Sequence, residues 1–420
     1  MVNVIGSALA ALDIKPFDLP NYAEQAIPSY ITKDNTGNNP ITDIGATLGR
    51  VLFYDTKLST DNSISCSSCH QQQHGFSDTA VVSQGVNGVT GRHSMRLVNA
   101  RFSEETKFFW DERAETLEEQ TTMPIQDFVE MGFSGENGAP SFEDLIENLS
   151  AVDYYQDLFK LAYGDPEITE SRMQKSLAQF VRSIQSFDSK FDAGLAQVAD
   201  YTEDFPNFTD EENLGKSLFI QDFEWEDQTN RVRLSRGEDP SLGELDTVIE
   251  EDGSETTYIT YKVAGRTNGG FNCASCHNPP EFSIDPDSGN NAFVRPASNN
   301  PNAPSDINNT KAPTLRDVIK DINANNFDVD GIMPFNGGLF HSGQAHFLED
   351  IFGHYEFRRL DLGDNPNIDP RMTRVSLETG ETLGLLLNST RTERQAISAF
   401  LFTLTGTDVY TNEKWSSPFE

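Results

Sequence analysis
Four cysteines stand in two short strings, each closed by a histidine: Cys66-Ser67-Ser68-Cys69-His70 and Cys273-Ala274-Ser275-Cys276-His277. Two cysteine pairs admit disulfides, one zinc site or two haem attachments. A four-cysteine zinc site has no need of a histidine after each pair. C-x-x-C-H is the attachment pattern of c-type haem. Its thiols form thioethers with the haem vinyl groups, and the next residue, histidine, lies under the iron as proximal ligand. The two copies use every cysteine of the chain. Two covalent haem c groups are therefore expected, held by Cys66, Cys69 and His70 and by Cys273, Cys276 and His277. Haem c is attached outside the cytoplasm, so the expected location is periplasmic or otherwise exported. Met1 to Leu12 has no basic residue and no clear cleavage site. The expectation is that an initiator methionine has replaced a signal peptide.

Further candidates follow the first haem string. They are Phe108-Phe109-Trp110-Asp111-Glu112-Arg113-Ala114, then Gln120, Pro124 and Glu130-Met131-Gly132. Later come Phe340-His341-Ser342-Gly343 and Tyr410-Thr411-Asn412-Glu413-Lys414-Trp415. In these strings and their order the sequence resembles the bacterial di-haem cytochrome c peroxidase and MauG superfamily, from about Ile44 to Gly406. The resemblance gives the peroxide chemistry to the first haem. It makes Glu130 the distal carboxylate that shuttles a proton between the peroxide oxygens. Gln120 becomes a neutral hydrogen-bond partner, Pro124 a limit to the pocket, and Trp110 an electron relay between the haems. Taken alone, Glu130 reads as one of 66 acidic residues and Trp110 as a core aromatic.

Many di-haem peroxidases cap the first iron with a histidine in the loop after the first haem. The matching loop here is Ser83-Gln84-Gly85-Val86-Asn87-Gly88, with Val86 in that place. Valine cannot ligate iron, which predicts an open first iron; His74 and His93 are the nearby substitutes. His93 also stands where the family has an asparagine that helps bind calcium between the haems. Calcium is therefore possible but doubtful. At the second iron the family often places a distal methionine, and Tyr355 occupies that place, as in MauG-type enzymes. His354 is the competitor, and Met333 and Met372 are weaker candidates. His341 reads as a structural or propionate contact.

The elements that must position these groups read as mainly α. Leu48-Gly49-Arg50-Val51-Leu52-Phe53 precedes the first haem string, and Leu214-Gly215-Lys216-Ser217-Leu218-Phe219 the second. The expected fold is two cytochrome c-like haem domains related by internal duplication. They are an N-terminal peroxidatic domain, 21–204, and a C-terminal electron-transfer domain, 205–410. The longer spacing in the second copy predicts a small β-hairpin insertion at about 221–262, with Thr256 to Tyr261 β-prone. Ser141, Thr169, Thr209 and Thr392 are expected helix caps, and Gly406 a helix end.

The chain has 31 basic and 66 acidic residues, a net charge of −35. This excludes nucleic acid and anionic lipid as partners. No apolar run approaches the length of a membrane span. The leading reading is a peroxidase that reduces hydrogen peroxide to water, using electrons from a small c-type cytochrome or cupredoxin. Its rivals are a MauG-like oxidase that uses peroxide to oxidise tyrosine or tryptophan of a partner protein, and a non-enzymatic electron-transfer cytochrome.

Overall fold
A computed structural model of the chain describes residues 9, 12, 14–15, 18–103, 107–234, 243–283, 311–319, 335, 337–356 and 368–419. The helices are α1 (Asp43–Tyr54), α2 (Leu117–Gln126), α3 (Phe142–Ser150), α4 (Asp153–Tyr163), α5 (Glu170–Ser183), α6 (Lys190–Leu195), α7 (Asp210–Ile220), α8 (Leu348–Glu356) and α9 (Arg391–Phe402). Ser141, Thr169 and Thr209 cap α3, α5 and α7 as expected. The cap of α9 is Thr390, two residues before the expected Thr392, because Glu393 is the carboxylate that reaches back to it. That helix stops at Phe402. Gly406 lies beyond it, its N–H donating to Asp317 at 2.8 Å.

Two helix pairs carry the two haem strings. The glycine of each repeat string permits close helix packing. A Cβ at Gly49 of α1 would lie 1.9 Å from the Ser176 carbonyl oxygen of α5. A Cβ at Gly215 of α7 would lie 1.9 Å from the Ala396 carbonyl oxygen of α9. Each pair founds an apolar core. The first runs from Leu48, Val51 and Phe53 to Phe180 and Ile184, and takes in Val409, Tyr410 and Trp415 from the end of the chain. The second joins Phe191, Phe205, Phe219, Phe282 and Phe400, with ring centroids 5.0–6.2 Å apart where they meet. Each buried phenylalanine contributes about 1.5–3 kcal/mol of apolar burial. Along the chain the cores exchange between Ile184 and Phe191.

The strands are β1 (Gln84–Gly85), β2 (Gly88–Val89), β3 (Phe223–Arg233), β4 (Glu244–Ile249), β5 (Glu255–Gly269), β6 (Thr373–Val375) and β7 (Thr382–Leu386). The β-prone stretch lies inside β5, which runs past the expected end of the insertion. β3 pairs antiparallel along one edge of β5, from Phe223 opposite Gly269 to Arg233 opposite Tyr258. β4 pairs antiparallel with β5, and β7 pairs parallel with it at Ala264 and Gly265. The feature is thus a sheet larger than a hairpin, because β6 and β7 join it from more than 100 residues away. Leu385 of β7 and Phe223 of β3 line the second haem cavity.

Candidate haem sites
The first haem string begins with a helical turn, Cys66–Cys69, at whose start Ser65 and Ser68 form a capping box. The His70 N–H then donates to the Cys66 carbonyl at 2.9 Å. Gly75 and Phe76 both take left-handed backbone, φ +66° and +59°. This turn brings the Phe76 carbonyl to 3.0 Å from His70 Nδ1, which donates to it. Nε2 is left as the nitrogen for a metal. Burial lowers the His70 pKa, and a neutral ring is the form that ligates. The second string repeats the device. His277 Nδ1 donates to the Pro313 carbonyl at 3.0 Å, and Phe282 has φ +56°. Burial pushes the His277 pKa down to about 4.

Cys66, Cys69 and His70 line a cavity of about 690 Å³; Cys273, Cys276 and His277 line one of about 280 Å³. Paired thiols and an oriented, neutral histidine in each cavity fit a c-type haem. Arg92, Arg96 and Lys311 line the first cavity and offer positive charge to haem carboxylates.

Across the first cavity stands α2. Thr116 caps it by accepting from the Glu119 N–H, which sets Gln120 and Pro124 one turn apart on the cavity face. Pro124 ends this face without an N–H for the Gln120 carbonyl. After α2, Asp127 Oδ1 accepts from the N–H groups of Val129 and Glu130 at 2.8 and 2.9 Å. This turn presents Glu130 to the cavity. Burial, and then the nearby Asp127 charge, push the Glu130 carboxyl up to about 7, against a lowering pull from Arg113.

The loop that contains Val86 is the β1–β2 hairpin, and it is docked on the Glu130 loop. The N–H groups of Val86 and Asn87 donate to the carbonyls of Glu130 and Val129 at 3.0 and 3.2 Å. A Cβ at Gly85 would meet the Val129 carbonyl oxygen at 2.1 Å, so glycine permits this approach. Gln84 and Gly85 reach the cavity wall, whereas Val86 and His74 are not part of it. His93 lies at both cavities, with Nδ1 2.9 Å from the Ala80 carbonyl and Nε2 3.3 Å from Ser77 Oγ.

Trp110 lines both cavities. Its Nε1 donates to the His93 carbonyl at 2.8 Å, and the His93 N–H donates to the His341 carbonyl at 2.7 Å. The Trp110 and His341 rings lie 6.1 Å apart. Their loops share one geometry. Phe108 bridges Ala114, and Leu339 bridges Ala345. Phe109 and Phe340 have φ +71° and +64°, and Glu112 and Gly343 have φ +54° and +62°. His341 is therefore the counterpart of Trp110, a relation the sequence reading missed. Its signal was a Phe one residue before, and an Ala four residues after, each of the two.

In the second cavity, α8 presents Leu348, Ile351, Phe352 and Tyr355 along one face. His354 is buried off that wall, its ring 4.5 Å from Phe340 and 4.9 Å from Tyr355. Met372 also lines this cavity, whereas Met333 lies outside the described residues. Asp369 pairs with Arg371 at 2.5 Å, and Arg371 donates to the Ser275 carbonyl beside the second haem string.

A sequence model of the di-haem cytochrome c peroxidase family matches residues 44–200. The methylamine utilization protein MauG of Methylophilus methylotrophus is 32% identical over 160 residues, 38% of this chain and 45% of that protein. The cytochrome c551 peroxidase of Nitrosomonas europaea is 33% identical over 151 residues, 36% of this chain and 42% of that protein. The chain thus spans less than half the length of these relatives. A crystal structure of a MauG-like protein associated with microbial copper homeostasis superposes with a TM-score of 0.59 at 21% identity, over 94% of this chain and 99% of that one. A variant of the diheme peroxidase BthA from Burkholderia thailandensis gives a TM-score of 0.57 at 19% identity, over 95% and 96%. At such identities the likeness concerns the fold. Among the described residues no helix is long and apolar enough to cross a membrane. Residues 44–200 thus match the di-haem cytochrome c peroxidase family, with MauG and cytochrome c551 peroxidase among the relatives, and the chain as a whole has the fold of these two solved structures.

Proposed function
We propose that this protein is an exported di-haem c-type peroxidase that reduces hydrogen peroxide to water, with electrons from a small c-type cytochrome or cupredoxin. The observation that carries the reading is Glu130. It is a carboxyl pushed up to about 7, facing the same cavity as Cys66, Cys69 and His70. When bound, the haems supply the iron centres that take peroxide and electrons. His70 and His277 would hold them, each with Nδ1 engaged by a backbone carbonyl and Nε2 left for the metal. Near neutral pH the Glu130 carboxylate can accept a proton from one peroxide oxygen and return it to the other. The Gln120 amide orients the peroxide, and the Pro124 ring keeps the pocket narrow. Trp110 touches both cavities and is the short route for electrons between them. Tyr355 is the ligand we assign to the second iron, in preference to His354, because only Tyr355 faces that cavity.

The two-domain plan, 21–204 and 205–410, belongs to the same proposal. Its support is the repeated glycine contact, the repeated histidine turn and the paired loops of Trp110 and His341. The sheet then extends the second copy. A net charge of −35 suits a basic donor protein. Tyr355 at the second cavity favours a MauG-like second reading, in which a partner's tyrosine or tryptophan is oxidised. Peroxide added to holoenzyme with a reduced small cytochrome separates the readings. Two donor electrons consumed per peroxide supports the peroxidase. A partner protein modified covalently while the donor stays reduced supports the alternative.

A further inference from the structure
Asp55 closes α1, and its two oxygens have different tasks. Oδ1 accepts from the Lys57 N–H at 2.9 Å and faces the Lys57 ammonium at 3.8 Å. Oδ2 accepts from two phenols, Tyr154 at 2.5 Å and Tyr155 at 2.9 Å. The Asp55 side chain is 3% exposed, and the two tyrosine rings lie 4.7 Å apart. Capping needs only Oδ1, so the doubled phenol contact calls for a separate explanation. Tyr155 is buried in the core against which Cys66 packs. Cys66 in turn lines the first haem cavity. Tyr154 is half-buried and meets Phe419, near the end of the chain, at 6.4 Å. Tyr155 thus sits in the core that Cys66 packs against, and Tyr154, less buried, lies beside it toward the surface.

Burial first, and then Asp55, hold both phenols protonated far above neutral pH. The same carboxylate makes them easier to oxidise. A phenol that loses an electron becomes a strong acid, and its proton needs an acceptor within hydrogen-bond distance. We propose that Tyr155 and Tyr154, joined through Asp55, form a redox-active pair that carries oxidising equivalents from the first haem pocket to the surface. The proposal rests on the peroxide chemistry above, with hydrogen peroxide as the oxidant. One electron leaves Tyr155 toward the haem pocket, its O–H bond breaks, and the proton passes to Asp55 Oδ2. Tyr154 then gives one electron to the Tyr155 phenoxyl. Asp55 returns its proton to Tyr155 and takes the proton of Tyr154. The phenoxyl ends on Tyr154, where a phenolic or other one-electron reductant from solution restores it and Asp55 gives the proton back. The pair is thus an exit for oxidising equivalents when no donor protein is docked.

The test mixes holoenzyme with peroxide in the absence of donor, freezes it, and reads tyrosine phenoxyl by electron paramagnetic resonance. Peptide mass spectrometry then maps oxidised tyrosines. The expected result is a phenoxyl signal in the parent with oxidation at Tyr154, and loss of both in Tyr155→Phe. Tyr154→Phe should keep a phenoxyl on Tyr155. Both variants retain the ring, so packing survives, and donor-supported peroxide turnover should match the parent. If peroxide changes the haem spectrum but the double phenylalanine variant keeps the parent signal, the pair is overturned and the peroxidase reading stands. If peroxide leaves the haem spectrum unchanged, the peroxidase reading falls and the pair falls with it.

Discussion

Replacing Glu130 by glutamine keeps the shape of the side chain and removes its proton chemistry. Two consequences follow, with opposite signs. The carboxyl is moved from its ordinary 4.5 to about 7, chiefly by burial. At about 1.36 kcal/mol per pH unit the full cost of ionising it there is about 3 kcal/mol. Glu130 is only partly buried, so water screens part of this, and about 1–3 kcal/mol is the expected range. A carboxyl whose pKa is raised on folding favours the folded state while protonated. The ionisation cost is absent below about pH 4.5, grows as pH rises, and is complete above about 7. Glu130→Gln should therefore stabilise the protein above neutral pH and do little in acid. Catalysis should move the other way. Loss of the base should slow peroxide-induced change of the first haem by about 10²–10⁴-fold. In the parent this rate should rise with pH through about 7 as the carboxylate forms, and in the variant the rise should vanish. The assays are stopped-flow spectroscopy across that pH range and chemical denaturation of the same preparations. A variant that reacts at the parent rate with the parent pH profile would refute the role of Glu130.

Other outcomes follow from the same geometry. Pyridine haemochrome assay should give two haems per chain, falling to one when both Cys273 and Cys276 are replaced by alanine. Tyr355→Phe should change the spectrum of the second haem, whereas His354→Ala should leave it unchanged, because His354 lies off the cavity wall. A methyl group at Gly49 or Gly215 would press on a backbone carbonyl at 1.9 Å, so each Gly→Ala variant should lose about 1–3 kcal/mol in denaturation, with its own haem string disturbed first.

The haem strings were legible because each is a local motif in which spacing alone sets the chemistry. The helix start at Ser141 and the capping box at Thr209 were legible for the same reason. At α9 two threonines compete, and only Thr390 has a carboxylate three residues on. The sheet was underestimated because its extent depends on β6 and β7, which no local pattern links to β5. The proposed choice of Tyr355 over His354 rests on the family register and on the helix face that turns Tyr355 to the cavity. The kinship of Trp110 and His341 lies in backbone angles, which their dissimilar side chains conceal. The tyrosine pair on Asp55 joins residues about 100 positions apart and leaves no mark in the sequence.

On the proposed reading the first pocket receives peroxide directly. The decisive experiment is the spectrum of the fully ferric, doubly haem-loaded protein on mixing with peroxide, before any donor is added. On the proposed reading the first iron is open: Val86 stands in the place of the family's capping histidine and is not part of the cavity wall, and the ring nitrogens of His93 are engaged by the Ala80 carbonyl and Ser77 Oγ. An immediate change at the first haem is expected. A first haem that stays silent until the second has been reduced would contradict it.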